Sequence, residues 1–278
     1  MQAGKFRGWI AGLGVALLLL AGVALARLAW GSADDGTLER VQVSRELHVG
    51  LDASFPPFES LDAAGAVVGI DADLARSIAG QWDAQPVFVN IGFDGLYDAL
   101  LAGRVDVVIS GLPYDPRRTQ DVLYSQPYFN AGQVLVVRAA DTAAAQDSAN
   151  IPGDSAQAPM PALSGRTIAV EWGSLADMEA RRLSQTAEGM QTLPQPTARD
   201  ALDALVAGQA DAAIADAVSV YQFMGEHAGQ VRLAATLTQE PYVIATRPRS
   251  RRLAEAVDAA LTQLRESGAL DALLAKWF

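Results

Sequence analysis

The chain has 278 residues and a formal net charge of −11, and it is long enough for one or two domains with substantial cores. Half of its residues are hydrophobic and 19% are charged, a balance typical of folded globular proteins. The acidic charge and the lack of a basic stripe argue against nucleic acid as a partner. The sequence contains no cysteine, which excludes disulfides, thiolate metal sites and a lipid on a cysteine. Its two histidines, His48 and His227, lie far apart in the sequence, so we expect no metal and no cofactor.

Residues 1–30 are predicted to be a targeting segment. Lys5 and Arg7 precede an uncharged apolar stretch, residues 9–26, and the chain then turns polar at Ser32. This pattern fits a secretory signal that is cleaved after Ala26. It fits an uncleaved membrane anchor equally well, because about 18 apolar residues is the lower limit for a spanning helix. Basic residues hold the preceding side in the cytoplasm, so both interpretations place the remainder outside the cytoplasm.

The first predicted elements after residue 30 are a polar spacer, a strand and a proline-containing loop. The spacer, residues 31–46, could include a short helix, and Leu47–Leu51 follows as a strand. Pro56 and Pro57 forbid a helix or a central strand, so the next segment is predicted to be a rigid extended loop. This loop places aromatic rings beside a carboxylate, which suits a ligand with an apolar stem and polar ends. The residues concerned are Asp52, Ser54, Phe55 and Phe58.

A short helix and a buried strand are predicted within residues 93–118. Asp94 is placed to cap the helix and Gly103 to end it. Val105–Ile109 predicts a parallel strand covered on both faces, because the run is apolar apart from Asp106. Ligands of open α/β sheets bind at the carboxyl edge of the strands. The residues expected at this edge are Ser110, Gly111, Leu112, Pro113 and, one loop further on, Arg118.

The pattern of this helix and strand occurs twice in the chain. DALLAGRVDVVIS, residues 98–110, is matched by DALVAGQADAAIA, residues 203–215, in one register with an offset of 105 residues. Two similar units predict two similar lobes, each of which presents a strand edge to a shared cleft. This is the arrangement of a two-lobed binding protein.

The remaining elements complete both lobes. Asp71 is expected to cap a helix that ends at Gly80, and Gly173 or Ser174 begins a helix whose free N–H groups suit an anion. Residues 139–162 are rich in Ala, Ser, Pro and Asp and predict a flexible surface excursion. Further strands are predicted at 86–90, 133–137, 166–170, 210–215 and 242–246, and further helices at 198–207, 250–266 and 268–276.

Five segments carry a resemblance to a known family. They are LHVGLDASFPPFES, GAVVGIDADLARSIA, FDGLYDALLAGRVDVVISG, YSQPYFNAGQVLVV and the closing stretch that ends in Lys-Trp-Phe. Together they resemble the bacterial extracellular solute-binding proteins of family 3, the polar-amino-acid receptors of ABC importers, from about residue 47 to residue 278. The resemblance implies a two-lobed periplasmic-binding-protein fold of type II, in which each lobe is an α/β sheet and the ligand cleft lies between the lobes.

The residue pattern and the resemblance together imply a division of the chain. The expected segments are 1–30 signal peptide or N-terminal anchor, 31–46 spacer, 47–127 lobe 1, 128–132 hinge strand, 133–236 lobe 2 with 139–162 as an insertion, 237–241 hinge strand, and 242–278 as the return to lobe 1. The expected partners are a small-molecule ligand and an ABC transporter permease. The membrane is a further partner if the N-terminal segment stays uncleaved.

Four ligand contacts are implied for the two charged ends of an amino acid, which need a cationic fork, helix-end donors and a carboxylate. Arg118 aligns with the family's carboxylate-binding arginine. Ser174 and Leu175 align with its helix-end donors, and Asp216 aligns with its ammonium-binding aspartate.

Further contacts are implied on lobe 1, together with one departure from the family. Phe55 and Phe93 fall where the family places rings around the ligand, and Asp52 and Gly111 fall at its side-chain-reading and backbone positions. Pro113 stands where the family usually offers a threonine or serine to the ammonium, and proline supplies neither a hydroxyl nor an N–H. We therefore expect ligand anchoring there to be weaker or to be taken over by Ser110 or Tyr114.

Neighbouring polar residues have ordinary structural explanations. Arg117 is interpreted as a solvated neighbour of Arg118. Asp106 and Asp211, inside the repeated strands, are expected to cap or pair within their own lobes.

The function expected from these features is an extracytoplasmic solute-binding receptor of an ABC importer that closes on a small polar solute, in particular an amino acid, and is not an enzyme. The alternatives are a dehydratase-type enzyme on the same scaffold and a membrane-anchored sensory domain. If Asp52 and Glu171 both face the cleft, its distal pocket is acidic and favours glutamine, arginine or lysine over glutamate.

Overall fold

The structure, a computed structural model, describes residues 34–141 and 162–278. Within these residues, two five-stranded sheets form two lobes, as the sequence predicts. The strands are β1 Glu46–Leu51, β2 Ser54–Phe55, β3 Glu59–Leu61, β4 Val67–Val68, β5 Gln85–Asn90, β6 Val107–Val108, β7 Leu123–Tyr124, β8 Phe129–Asn130, β9 Gln133–Arg138, β10 Thr167–Glu171, β11 Gln191–Gln195, β12 Ala212–Asp216, β13 Val231–Thr236, β14 Pro241–Tyr242 and β15 Ala245–Thr246. The helices are α1 Thr37–Ser44, α2 Ile70–Gly80, α3 Leu96–Leu101, α4 Leu175–Ser184, α5 Ala198–Val206, α6 Ala217–Glu226, α7 Arg251–Glu266 and α8 Ala269–Trp277.

The sheet of lobe 1 has the strand order β5-β1-β6-β15-β7. β1 lies parallel to both β5 and β6, and α2 and α3 make the connections between these strands. α2 buries Ile70, Leu74 and Ile78, which are spaced four residues apart and therefore lie on one helix face. β15 pairs antiparallel with β6 and β7, so the chain returns to this lobe near its end.

The sheet of lobe 2 has the order β11-β10-β12-β9-β13 and repeats this plan. β10 is parallel to β11 and β12, as β1 is to β5 and β6. An aspartate before the repeated strand makes the same link in each lobe: Asp106 Oδ2 accepts a hydrogen bond from the His48 N–H at 2.9 Å, and Asp211 Oδ2 accepts one from the Thr167 N–H at 2.8 Å. The predicted internal repeat and the structural role of both aspartates are confirmed.

The chain passes between the lobes through β8 and β14, which pair antiparallel with each other. β8 lies within the predicted hinge segment 128–132, whereas β14 overlaps the predicted segment 237–241 only at Pro241. The two chain segments lie very close together, since a Cβ atom on Gly132 would lie 2.1 Å from the carbonyl oxygen of Thr238. Only glycine permits this approach without a shift of the backbone.

Aromatic packing behind the crossing strands links both lobes. The Phe278 ring lies 5.6 Å from the Phe129 ring and 5.3 Å from the ring of Tyr221 on α6 of lobe 2. Phe58, fully buried in lobe 1, packs edge-on against Phe129 at 5.2 Å. The core is therefore continuous from one lobe to the other at this point.

Two helix caps predicted from the sequence are wrong. The side chain of Asp71 does not cap α2, whose first residue is Ile70, because it accepts a hydrogen bond from Gly111 instead. Asp94 lies inside a 3₁₀ turn, Phe93–Gly95, that leads directly into α3. The predicted strand Val105–Ile109 is also shorter, with only Val107–Val108 in the ladder.

The segment predicted as a polar spacer contains α1. Leu38 and Val41 of this helix are buried, and α1 packs against α7 and β1. The predicted targeting segment, residues 1–30, and most of the predicted excursion at 139–162 lie outside the described residues. Among the helices of the part that is described, none combines the length and the apolar character needed to span a bilayer.

Candidate ligand-binding cleft

Both sheets present the carboxyl ends of their parallel strands beside the crossing strands. In lobe 1, β6 continues into Ser110 and Gly111, and the Leu112 carbonyl then accepts a hydrogen bond from the Val243 N–H, just after β14, at 2.9 Å. In lobe 2, β12 ends at Asp216, which pairs with Gln133 immediately after the other crossing strand. The two edges that the sequence predicts to face a cleft therefore flank the same hinge.

A cavity of about 320 Å³ lies at the edge of lobe 1. It brings together five of the nine residues predicted to bind ligand, and it adds Ser54, Glu59, Pro113 and Tyr242 to them. The predicted residues that line it are Asp52, Phe55, Phe93, Ser110 and Gly111.

Aromatic rings form one wall of this cavity. Phe55 is 41% exposed and stacks on the buried Phe58 ring at 5.4 Å, with the ring planes 10° apart. Tyr242 packs edge-on against the same Phe58 ring at 5.2 Å. Gly111 has a φ of +47°, and a Cβ atom there would lie 3.0 Å from the Phe55 ring. Glycine at this position therefore lets the ring lie directly against the strand edge.

A second cavity, of about 550 Å³, adjoins the first and contains Arg118. Phe93 and Pro113 line both cavities. The Arg118 guanidinium lies 4.3 Å from the centre of the Tyr97 ring, a cation–π contact, and makes no ion pair within the described residues. Arg117 is highly exposed and pairs with Asp115 at 2.9 Å, in agreement with its interpretation as a solvated neighbour.

The Asp52 carboxylate ties the proline loop to the start of the 3₁₀ turn. Its Oδ2 accepts a hydrogen bond from the Phe93 N–H at 2.9 Å, and its Oδ1 accepts one from Ser54 Oγ at 2.8 Å. Because these bonds leave further acceptor capacity on both oxygens, Asp52 can still accept from a ligand at the cavity wall.

The polar groups of Ser110 and Gly111 point into lobe 1. Ser110 Oγ donates to Glu59 Oε1 at 2.7 Å and accepts from the Asp52 N–H at 3.0 Å. The Gly111 N–H donates to Asp71 Oδ2 at 2.5 Å. Of the two hydroxyls expected to replace the missing anchor at Pro113, that of Ser110 is buried and bonded within lobe 1, whereas Tyr114 is exposed and lines the second cavity.

Sequence reasoning did not single out Glu59 or Asp71 as part of this site. Glu59 is 1% exposed and Asp71 is fully buried. Burial, and then the charge of Asp71, raise the pKa of Glu59. The one local signal was an acidic residue directly after the Pro-Pro-Phe loop, and it does not reveal that the side chain turns inward.

The predicted residues of lobe 2 cap two helices. Ser174 Oγ accepts from the Asp177 N–H at 3.3 Å and begins α4, as predicted, and Leu175 is 55% exposed. Asp216 caps α6 by accepting from the Ser219 N–H at 2.9 Å and from Ser219 Oγ at 2.7 Å. The helix N-termini of both elements therefore lie at the cleft edge of lobe 2.

Neither of the two cavities spans both halves of the predicted site. Within residues 34–141 and 162–278, both cavities are lined by lobe 1 and by Tyr242, and not by Ser174, Leu175 or Asp216. The charge of Asp216 in lobe 2 nevertheless acts on the wall of the first cavity. Burial, together with the charges of Glu240 and Asp216, raises the pKa of Tyr242 in this wall to about 12.

A two-lobed α/β architecture with strand edges facing a hinged cleft is typical of solute-binding proteins. Residues 47–278 match the family described as bacterial extracellular solute-binding proteins, family 3, and the chain belongs to that family.

Relatives of this chain agree with that membership. The ABC transporter arginine-binding protein 1 of Escherichia coli (strain K12) is 26% identical, over 84% of this chain and 91% of its own length. A solved mutant of ArgBP from T. maritima is 34% identical over 87% of this chain and 98% of its own, with a TM-score of 0.50. An ancestral cationic amino acid solute binding protein is 28% identical over 87% and 99%, with a TM-score of 0.56. The chain is a solute-binding protein and not an enzyme.

Proposed function

We propose that the protein is the extracytoplasmic receptor of an ABC importer and binds an amino acid with a cationic side chain. The observation that carries this proposal is the pair of adjoining cavities on lobe 1, with an exposed arginine in one and a carboxylate among aromatic rings in the other. Arg118 supplies a planar donor for the ligand's carboxylate. Asp52 receives the distal cation, and the Phe55 and Phe93 rings cover the apolar stem between the two ends.

The charge of the cleft supports a cationic side chain. Asp52 lies in the first cavity, and the charges of Asp216 and Glu240 act on Tyr242 in its wall. An acidic ligand side chain would meet like charge, which can cost several kcal/mol. Relatives whose names specify arginine support the same ligand class. Glu171 ends β10 at the lobe 2 edge, where its carboxylate adds to the acidity of the distal pocket when the lobes close.

The ammonium group requires the second lobe. With Pro113 in place of a hydroxyl residue and Ser110 bonded internally, lobe 1 offers this group no hydroxyl from either position. Asp216 and the N-terminus of α4 at Ser174 supply the missing carboxylate and donors when the lobes close. Two crossing strands, rather than one linker, restrict the motion to opening and closing of the cleft.

Export and partner contact complete the proposal. Residues 1–30 serve as a signal peptide or an anchor, which places the lobes outside the cytoplasm. An ABC transporter permease then receives the ligand from the closed form. Relatives named as components of ABC transporters support this assignment.

Calorimetry with arginine, lysine, glutamine and glutamate tests the proposed function. We expect the cationic amino acids to bind most tightly and Arg118→Ala to weaken binding by about 2–5 kcal/mol, because a desolvated carboxylate loses its partner. Arg117→Ala, which removes a neighbouring solvated arginine, is the matched control. Tighter binding of glutamate than of arginine and lysine would refute the ligand class, and near wild-type affinity in Arg118→Ala would refute the carboxylate assignment.

A further inference from the structure

Glu59 and Asp71 lie together beneath the first cavity, since Ser110 and Gly111, adjacent in the chain, bond one carboxyl each. Three oxygen atoms of these residues and of Tyr128 make none of the ordinary hydrogen bonds of the described residues, although Asp71 lies within reach of both Glu59 and Tyr128. These oxygen atoms are Glu59 Oε2, Asp71 Oδ1 and Tyr128 Oη. All three residues are at most 1% exposed, and Glu59 also lines the cavity. Buried polar groups are normally hydrogen-bonded, so this cluster requires an explanation.

The ionisable groups around the cluster are all carboxyls or tyrosine hydroxyls. Besides one another, Glu59 and Asp71 face the Asp52 carboxylate after β1, the Tyr128 hydroxyl before β8 and the Tyr242 hydroxyl on β14. No arginine, lysine or histidine of residues 34–141 and 162–278 pairs with either carboxyl. Two buried carboxylates side by side, with no cation beside them, repel each other and are poorly solvated, so one of them retains a proton.

Existing hydrogen bonds indicate which carboxyl holds the proton. Asp71 Oδ2 accepts from the Gly111 N–H at 2.5 Å, a bond that favours an ionised Asp71. Glu59 accepts a single bond, from Ser110 Oγ, and the Asp52 charge adds to the cost of ionising it. The remaining Glu59 oxygen is therefore the position for the proton, which can be donated toward the partnerless Asp71 Oδ1.

We propose that Glu59 is an uncharged, protonated acid that shares its proton with Asp71 and positions the binding edge of lobe 1 through Ser110. Its Oε1 acts as a carbonyl acceptor that holds the Ser110 hydroxyl inward, and Ser110 Oγ in turn fixes the backbone N–H of Asp52. Asp52 then fixes the backbone of Phe93. The buried acid thus keeps three cavity residues in register and adds no charge to the cavity floor.

The protonation state can be measured without a ligand, so this test is independent of the proposed function. Infrared spectra are recorded on the full-length protein labelled with carbon-13 at the glutamate side-chain carboxyl. At neutral pH we expect one carbonyl stretch of a protonated acid, which disappears in Glu59→Gln. A spectrum with ionised carboxylates alone would overturn the proposal, and so would a protonated band that persists in Glu59→Gln.

The positioning role rests on the proposed function and is tested with L-arginine as the probe. Glu59→Leu is expected to weaken binding by at least about fivefold, because it leaves the Ser110 hydroxyl without its acceptor. Glu59→Gln, whose amide oxygen can still accept from Ser110, should recover most of this loss. The double variant Glu59→Leu/Ser110→Ala should bind no more weakly than Glu59→Leu alone, because both changes break one chain of contacts.

Two outcomes would contradict the positioning role. Equal losses in Glu59→Gln and Glu59→Leu would show that acceptance of the Ser110 hydrogen bond is not what binding requires of Glu59. Additive losses in the double variant would show that Glu59 and Ser110 act separately. If L-arginine fails to bind the wild-type protein, the ligand class is wrong, and the infrared measurement alone decides the state of Glu59.

Discussion

Replacing Glu59 by Gln should change how the free energy of unfolding depends on pH, because it removes a carboxyl that releases one proton on unfolding. In the folded protein, burial and the neighbouring Asp71 charge raise the pKa of Glu59 far above its ordinary range. In the unfolded chain the same carboxyl has an ordinary pKa of about 4.3 and is ionised at neutral pH. The folded state therefore holds one proton that the unfolded chain has released.

The sign and size of the effect follow from this difference. A group with a raised folded-state pKa contributes stability that is complete below its unfolded pKa and is lost as the pH rises toward the folded pKa. Between these limits, the free energy of unfolding falls by about 1.4 kcal/mol for each pH unit. From about pH 7 to about pH 9 the wild-type protein should thus lose about 2.7 kcal/mol relative to the glutamine variant. This window lies above the pKa of Asp71, which burial raises to about 6.

Urea unfolding at several pH values measures the effect in both proteins. Subtracting the two curves cancels the titration of all other groups that the substitution leaves unchanged. Glu46→Gln, at an exposed position on β1, is the matched control and should run parallel to the wild-type protein. If the wild-type and Glu59→Gln curves are parallel from about pH 7 to about pH 9, Glu59 carries no proton in the folded state and the reasoning fails.

Further predictions concern packing and closure. Phe58→Ala should cost about 3–5 kcal/mol of unfolding free energy, because a fully buried ring that packs against Phe55, Phe129 and Tyr242 is lost. An effect in chemical denaturation as small as that of Phe55→Ala would contradict this packing. Gly225→Ala should lower the melting temperature, because its Cβ would lie 1.5 Å from a backbone oxygen of Phe278. Gly80→Ala is the control and should leave the melting temperature unchanged, because no atom lies within 4 Å of a Cβ there. Equal changes of melting temperature in both variants would argue against the close contact of Gly225 with Phe278. Small-angle scattering with saturating L-arginine should give a smaller radius of gyration, and an unchanged radius with binding shown separately would count against lobe closure.

The sequence by itself determined the plan of the two lobes. The repeated segments 98–110 and 203–215 became α3 with β6 and α5 with β12, in the same position of each sheet. This was predictable because helix periodicity, glycine stops and apolar strand runs are local properties. The same logic placed Asp106 and Asp211 correctly as structural residues, each bonded to the neighbouring strand.

The tertiary structure alone decided how the polar side chains are used. Asp71 occupies a position typical of a helix cap, yet its partner is Gly111, which lies 40 residues further along the chain. Glu59 and Ser110 are separated by 51 residues, and their contact depends on how β3 packs against the edge of β6. A hydrogen bond across such a separation leaves no periodic trace in the sequence. Burial then determines the charge of these groups, because the cost of an ionised carboxyl depends on the surroundings that only the folded chain creates.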